Sequence, residues 1–187
     1  MNNTNINISS RQSKTKVMVV TGMFTALICA LSLIAIPTST VPFTLSLLAI
    51  FLTGALLPPR QALLSALVYI LIGTIGLPVF AGMKGGVAAL LGQTGGYIMS
   101  YPIMTFVTSL SFRLAKKHKT LVLILGMIIS LSICYLLGTL WFSHITGIGF
   151  LPSLTLCVAP YVLFDLLKIA LATSFSSIIR KLGIITI

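Results

Sequence analysis

The chain has 187 residues, of which 57% are hydrophobic and 7% are charged, and its mean hydropathy is +1.14. A soluble domain carries about 25% charged residues, so this chain has too little polar surface to cover a water-soluble globule. Its formal net charge of +11 comes from 12 Lys and Arg residues against a single acidic residue. This composition excludes an ordinary soluble domain and predicts a single membrane-embedded helical unit over residues 1–187.

The basic residues do not form the patch that a nucleic-acid-binding protein needs. They stand in short groups between apolar runs, which is typical of cytoplasmic loops that face anionic lipid headgroups. We therefore expect membrane lipid, and no nucleic acid, around the chain. The three cysteines form an odd set without paired spacing, so we expect small buried hydrophobic residues and no disulfide framework, metal site or cofactor.

Apolar runs follow one another from residue 17 to the end of the chain. The first is preceded by a polar stretch, 1–16, which we expect to be a disordered cytoplasmic tail. The first run is about as long as a full membrane span, so it predicts a retained helix and not a cleaved signal peptide. The predicted spans are 17–36, 43–57, 61–75, 95–114, 121–142 and 153–179.

Six crossings sort nearly all the basic residues onto one side of the membrane. The residues on that side are Arg11, Lys14, Lys16, Arg60, Arg113, Lys116, Lys117, Lys119, Arg180 and Lys181. The opposite side receives only Lys84. Since cytoplasmic loops carry the excess of Lys and Arg, this sorting predicts that both the N and C termini are cytoplasmic. The predicted fold class is therefore an all-α integral membrane protein, a bundle of six transmembrane helices.

Two charged side chains, Asp165 and Lys168, fall well inside a predicted span. Each costs about 2.5–3.5 kcal/mol at the centre of a membrane helix, so such residues pair, face the interior or reach water. Their spacing of three residues puts them on one helix face. They predict a polar anchor for a ligand, in a pocket near the outer face of the membrane. The alternative is a neutralised pair that only holds helices together.

A glycine-rich stretch, 76–96, separates the third and fourth predicted spans. Irregular backbone at membrane depth needs cover from protein or a water-filled cavity, so we expect an outer loop that folds inward and roofs a pocket. The alternative is an ordinary flexible loop. No Gly-Lys-Ser/Thr sequence follows these glycines, so a phosphate-binding loop is excluded.

Two further groups of residues belong to single spans. Gly22, Ala26 and Ala30 repeat at four-residue spacing on the first span, a small-residue face that lets helices approach closely, either within this chain or with a partner. Trp141 and Tyr135 lie near the outer end of the fifth span, where aromatic residues are typical of the membrane interface.

The chain lacks the residues that catalysis needs. One carboxylate and two histidines offer few acid–base pairs, and no zinc spacing, nucleophile elbow or Walker motif is present. We therefore predict no catalytic residues and no metal. If transport uses the energy of ATP hydrolysis, a partner subunit has to bind the ATP, because the chain has no P-loop of its own.

Several motifs together resemble one family. They are Gly76-x-Pro-Val-Phe-Ala-Gly-x-x-Gly-Gly86, Gly92-x-Thr-Gly-Gly-Tyr97, Gly138-Thr-Leu-Trp141, and Pro160 followed by Asp165-x-x-Lys168. In order and spacing they resemble the BioY family, whose members are biotin-binding S components of energy-coupling factor transporters. The resemblance extends from the first span to the last.

The resemblance implies a six-helix fold and capture of biotin from outside a bacterial cell, in a multi-pass protein of the plasma membrane. It implies that Asp165 and Lys168 bind the ureido group, and that Phe80, Tyr97 and Trp141 pack against the rings and tail. Further residues would shape the pocket wall: Gly82, Lys84, Gly85, Gly86 and Thr94. Of these, Lys84 is a candidate for the biotin carboxylate.

The resemblance also implies partner proteins, namely a transmembrane coupling subunit and two ATP-binding cassette subunits. The face of Gly22, Ala26 and Ala30 resembles the one by which S components dock on the coupling subunit.

Three other functions remain as alternatives to the capture of biotin. They are an S component for thiamine or riboflavin, a lipid-modifying membrane enzyme, and an assembly factor without a ligand.

Overall fold

The structure is a computed structural model that describes residues 3–37 and 41–183, with side chains described from Lys14 onward. Helices account for most of the described chain. They are α1 Asn3–Leu33, α2 Ser46–Leu56, α3 Pro59–Thr74, α4 Val87–Leu90, α5 Gly95–Leu114, α6 Lys119–Thr146, α7 Phe150–Cys157 and α8 Val162–Lys181. Two short strands, β1 Ala35–Ile36 and β2 Phe43–Thr44, pair antiparallel between α1 and α2.

Within the described residues, three helical stretches are long and apolar enough to cross a membrane: Lys14–Leu33, Lys119–Thr146 and Val162–Lys181. The apolar helices α2 and α3 are shorter. The prediction of a mostly helical membrane fold is confirmed at this level. The strand pair is a small departure from the all-helical prediction, and it brings Phe43 next to the end of α1.

The first helix is longer than its predicted span. α1 begins at Asn3 and not at residue 17, so the expectation of a disordered tail is not met from Asn3 onward. No proline or glycine precedes Gly22 in the chain, so no helix breaker separates the polar stretch from the apolar one.

The last predicted span, 153–179, is divided between two helices in the structure. α7 ends at Cys157 and α8 begins at Val162, with Pro160 between them. Proline has no N–H to continue the backbone ladder, and its ring disfavours a helical conformation in the residue before it. The break places Asp165 in the first turn of α8, where its N–H bonds the carbonyl of Tyr161 at 2.9 Å.

The helices pack around α5, which contacts α2, α3 and α6, while α2 also packs against α8. Large buried side chains fill the centre, among them Phe51, Tyr69, Met104 and Met127. At the far end of α8 from Asp165, the Arg180 guanidinium donates to the carbonyl of Ala55 and stacks on the ring of Phe112. One end of α8 is thus tied to the rest of the bundle, and the other end faces a cavity.

Candidate ligand-binding site

A cavity lies between the β1–β2 hairpin, α5, α6 and the start of α8. Ligand sites for small organic molecules are concave and mainly apolar, with a few polar groups that fix the orientation of the ligand. Its walls are mainly aromatic, with a few polar groups. The wall residues that matter most to its chemistry are Phe43, Tyr97, Tyr101, Tyr135, Asp165 and Lys168.

The structure brings Asp165 and Lys168 together, as their spacing predicts. The Lys168 ammonium lies 2.7 Å from Oδ1 of Asp165, and the two side chains are 5% and 3% exposed. A buried ion pair of this kind needs further hydrogen-bond partners, because neither ion is solvated by bulk water. Both side chains line the cavity, so the pair offers an acceptor and a donor side by side to whatever enters.

Tyr135 on α6 holds the second oxygen of the same carboxylate. Its hydroxyl donates a hydrogen bond of 2.6 Å to Oδ2 of Asp165. The position of Tyr135 near the end of its predicted span indicates a membrane-interface residue and gives no sign of this contact. No local signal reveals it, since Tyr135 lies on a different helix and meets Asp165 only when α6 and α8 pack.

Phe43 covers Lys168 from the hairpin side. The ammonium lies 4.1 Å from the centroid of the Phe43 ring, which is a cation–π contact. The same ring stacks on Tyr161 at 6.4 Å and meets Phe164 edge-on at 5.3 Å. Phe43 is a second residue of the site that no sequence motif indicates.

Tyr97, a predicted site residue, lines the cavity from the first turn of α5. Its ring lies against Gly138 of α6, where an added Cβ would come within 2.3 Å of the ring. Glycine at this position therefore lets α6 approach closely enough for Tyr97 to face the cavity. The Tyr97 hydroxyl lies 3.4 Å from that of Thr139.

The glycine-rich stretch folds back on itself. Phe80 and Lys84 exchange backbone hydrogen bonds of 2.9 and 3.3 Å, and the Gly86 N–H bonds the carbonyl of Gly73 at 2.7 Å. The Phe80 ring is buried over Gly73 and edge-on to Tyr69 at 5.5 Å, so it supports the wall from behind. Lys84 is exposed, and neither it nor Gly82, Gly85 or Gly86 is among the wall residues described for the two cavities.

Trp141 is also placed behind the wall. Its indole Nε1 donates to the carbonyl of Gly92 at 2.9 Å, and its side chain packs on Gly96 at the start of α5. Trp141 therefore braces the loop that leads into α5. The assignment of Trp141, Phe80 and the loop glycines as direct ligand contacts stays a prediction.

A second cavity adjoins the first. Thr94, another predicted site residue, lines it together with Ala81 of the folded loop, Tyr69 and Tyr101. Tyr97 and Tyr101 line both cavities. Thr94 thus lies near the site, on the side away from the ion pair.

The small-residue face of α1 lies away from both cavities. Gly22, Ala26 and Ala30 are all exposed, while α1 packs on α2 and α3 through other residues such as Phe24, Thr25 and Ile28. Within the described chain, packing against another helix therefore does not account for this face.

A helical membrane fold, with an aromatic cavity built around one buried ion pair, defines a membrane-embedded binding protein. Residues 3–183 match the sequence model of the BioY family, and the chain belongs to that family. The resemblance seen in the sequence motifs is thereby confirmed.

Relatives with assigned functions cover most of the chain. A Pyrococcus horikoshii protein described as a probable biotin transporter is 35% identical over 159 residues, which are 85% of this chain and 93% of the relative. A Thermotoga maritima biotin transporter is 35% identical over 164 residues, which are 87% and 95% of the two chains. The crystal structure of the S component for biotin from an ECF-type ABC transporter superimposes with a TM-score of 0.80 and 27% identity, over 91% of this chain and 93% of that one.

Proposed function

We propose that this chain is the membrane-embedded S component of an energy-coupling factor transporter and that it captures biotin. Its membership of the BioY family and the likeness to biotin transporters over more than four-fifths of the chain support this function. The observation that carries it is the buried Asp165–Lys168 pair, with Tyr135 on the same carboxylate, in the wall of an aromatic cavity. The chain is then a binding subunit and not an enzyme.

The polar groups of the site suit the head of biotin. A ureido group has N–H donors and a carbonyl acceptor, so it complements a carboxylate and an ammonium that lie side by side. In this proposal Asp165 accepts from the ureido N–H groups and Lys168 donates to the ureido oxygen. Tyr97 packs against the fused rings, and Phe80 and Trp141 support the wall from behind.

The proposed topology has six crossings, with α7 and α8 together as the sixth. The ends of α8 support an outward-facing site, because Asp165 lies in its first turn and Arg180 and Lys181 lie in its last. Since Lys and Arg favour the cytoplasmic side, the cavity end of α8 is assigned to the outside, and both termini to the inside. The membrane in question is the bacterial plasma membrane.

The energy for uptake is assigned to partner subunits, a transmembrane coupling subunit and ATP-binding cassette ATPases. The exposed face of Gly22, Ala26 and Ala30 supports docking of α1 on the coupling subunit, because small residues let two helices approach closely in a membrane.

Equilibrium binding of biotin to the detergent-purified chain tests the function. We expect saturable binding at submicromolar biotin that excess thiamine or riboflavin does not displace. Absence of binding at that concentration contradicts the biotin assignment, and displacement by either competitor favours an S component for the other vitamin.

A further inference from the structure

The end of α8 that lies away from the ligand cavity meets the end of α5 in a group of basic side chains. Arg180 and Lys181 belong to the last turn of α8, and Arg113 belongs to the last turn of α5. In the proposed topology both helix ends face the cytoplasm. These residues take no part in binding biotin, because Asp165 and its cavity are at the opposite end of α8.

Two contacts hold Arg180 in place. Its guanidinium donates to the carbonyl of Ala55, in the last turn of α2, and its central carbon lies 3.3 Å from the centroid of the Phe112 ring. A guanidinium has five N–H donors, so donors remain for a further acceptor. A planar fork that is held in this way suits the oxygens of a phosphate.

Arg113 makes this arrangement unfavourable on its own. It is exposed, it follows Phe112 on α5, and its positive charge acts against that of the half-buried Arg180. Two like charges at close range repel each other, and the partial burial of Arg180 reduces the screening by water. An anion that contacts both guanidinium groups would offset this repulsion.

No acidic side chain of this chain can provide that anion. Asp165 is the single acidic residue of the sequence, and it is paired with Lys168. Along α8 it lies about 22 Å from Arg180, at about 1.5 Å per residue. The carbonyl ends of α2, α5 and α8 offset about half an elementary charge each, which is less than the full charges of the basic group. The counter-ion therefore has to come from another molecule.

Apolar side chains beside the basic group indicate that this molecule is a lipid. Ile178 and Leu182, on either side of Arg180, are 54% and 66% exposed, and Leu114, next to Arg113, is 70% exposed. Exposed apolar side chains suit acyl chains, and basic side chains at the cytoplasmic end of a membrane helix suit anionic headgroups. A soluble anion would use the basic side chains but not the apolar ones.

We propose that Arg113, Arg180 and Lys181 bind the headgroup phosphate of an anionic phospholipid between the ends of α5 and α8. The lipid supplies the counter-ion that the sequence lacks, and its acyl chains lie along the exposed apolar side chains of the two helices. The site takes its inward orientation from the proposed topology, and it does not depend on which vitamin the other end of the bundle binds.

The test uses the purified chain in nanodiscs of phosphatidylcholine, with and without phosphatidylglycerol. Thermal unfolding measures stability, and native mass spectrometry of the detergent-purified chain measures the binding of each lipid. We expect the wild-type chain to bind phosphatidylglycerol about tenfold more tightly than phosphatidylcholine, the fold-change for one hydrogen bond to a charged group. Phosphatidylglycerol should accordingly raise the unfolding temperature by about 4 °C.

Arg113→Glu places an acidic side chain beside Arg180. This variant should unfold at a higher temperature than the wild-type chain in phosphatidylcholine alone, and it should lose the preference for phosphatidylglycerol. Arg113→Gln removes the repulsion without adding an acid, so it should show the same loss with a smaller gain in neutral lipid. The matched control is Arg60→Glu, at an exposed arginine near the start of α3, which should keep the preference because the charge that acts on Arg180 is Arg113.

Four outcomes would contradict the lipid site. One is a wild-type chain that does not prefer phosphatidylglycerol. Another is an equal loss of preference in Arg60→Glu, which would mean that only the total charge of the surface matters. Equal stabilisation by soluble glycerol 3-phosphate would assign the site to a free phosphate. Finally, an unchanged lipid preference in Arg113→Glu, together with reduced uptake in cells that contain the partner subunits, would assign the basic group to a partner protein.

Discussion

The hydroxyl of Tyr135 donates to Oδ2 of Asp165 at 2.6 Å, the carboxylate oxygen that Lys168 does not use. Lys168 reaches the other oxygen, Oδ1, from its position on the same helix. The carboxylate is therefore held from two sides by groups on α6 and α8. Each oxygen still has a lone pair for an incoming donor, so Asp165 is oriented for a ligand before the ligand arrives.

Tyr135→Phe removes this hydrogen bond and keeps the ring. We expect the affinity for biotin to fall about tenfold, because a hydrogen bond to a charged group contributes about 1.5–3 kcal/mol. Equilibrium binding to the purified variant measures the change. The control is Tyr97→Phe, which also loses a cavity hydroxyl, but one that lies 3.4 Å from Thr139 and does not touch Asp165. An equal loss in both variants would contradict a specific role for Tyr135.

Substitutions in the ion pair distinguish its effect on biotin affinity from its effect on the stability of the fold. Asp165→Asn leaves Lys168 buried without its counter-ion, and Lys168→Met leaves Asp165 buried without its own. We expect each single variant to lose about 3–5 kcal/mol of stability, the usual cost of breaking a buried pair. The double variant Asp165→Asn/Lys168→Met removes both charges, so it should recover most of the thermal stability while biotin binding stays lost by about a hundredfold or more.

Thermal unfolding in detergent and biotin binding are measured on the same four proteins. A double variant that recovers both stability and binding would show that the pair only holds helices together. A double variant that recovers neither would show that the charges are needed for folding, and binding would then have to be tested with Tyr135→Phe alone.

The sequence predicts the ion pair but not its surroundings. The spacing of Asp165 and Lys168 is local, and any helix over that stretch brings them together. Tyr135 and Phe43 reach the pair only through tertiary packing, of α6 in one case and of a short hairpin in the other. No periodicity in a single sequence reports such contacts, since they depend on how distant elements cross.

The apolar pattern predicts the number of runs but not every boundary. Hydropathy continues across Pro160, so the pattern suggests one helix over 153–179, although the structure has α7 and α8. Proline is a stronger local signal than hydropathy here, because it removes a backbone donor. The composition of the glycine-rich loop predicts an irregular backbone that folds over a pocket, but the burial of Phe80 against Tyr69 depends on the packing of α3 and has no local signal.

Phe43 links the hairpin to the ion pair, so its ring should affect binding. We expect Phe43→Leu to weaken biotin binding about fivefold, because a desolvated cation–π contact contributes about 1–2 kcal/mol. The matched control is Phe112→Leu, which removes a ring that stacks on Arg180 at the other end of α8. Its expected effect is a lower unfolding temperature with unchanged affinity. A loss of affinity in both variants would mean that Phe43 acts through general stability.

Substitutions on the exposed face of α1 should reduce the uptake of biotin without reducing its binding. Ala26→Leu and Ala30→Leu add bulk where no described helix packs, so the bundle has room for the larger side chains and biotin binding should stay within about twofold. Uptake of labelled biotin by cells that contain the partner subunits should fall by about tenfold or more, because close helix approach requires small residues. Leu64→Phe on α3 is the control, since it adds bulk at another half-exposed position and should change neither quantity. Loss of biotin binding in the alanine variants would place this face inside the bundle, and normal uptake would mean that the coupling subunit docks elsewhere.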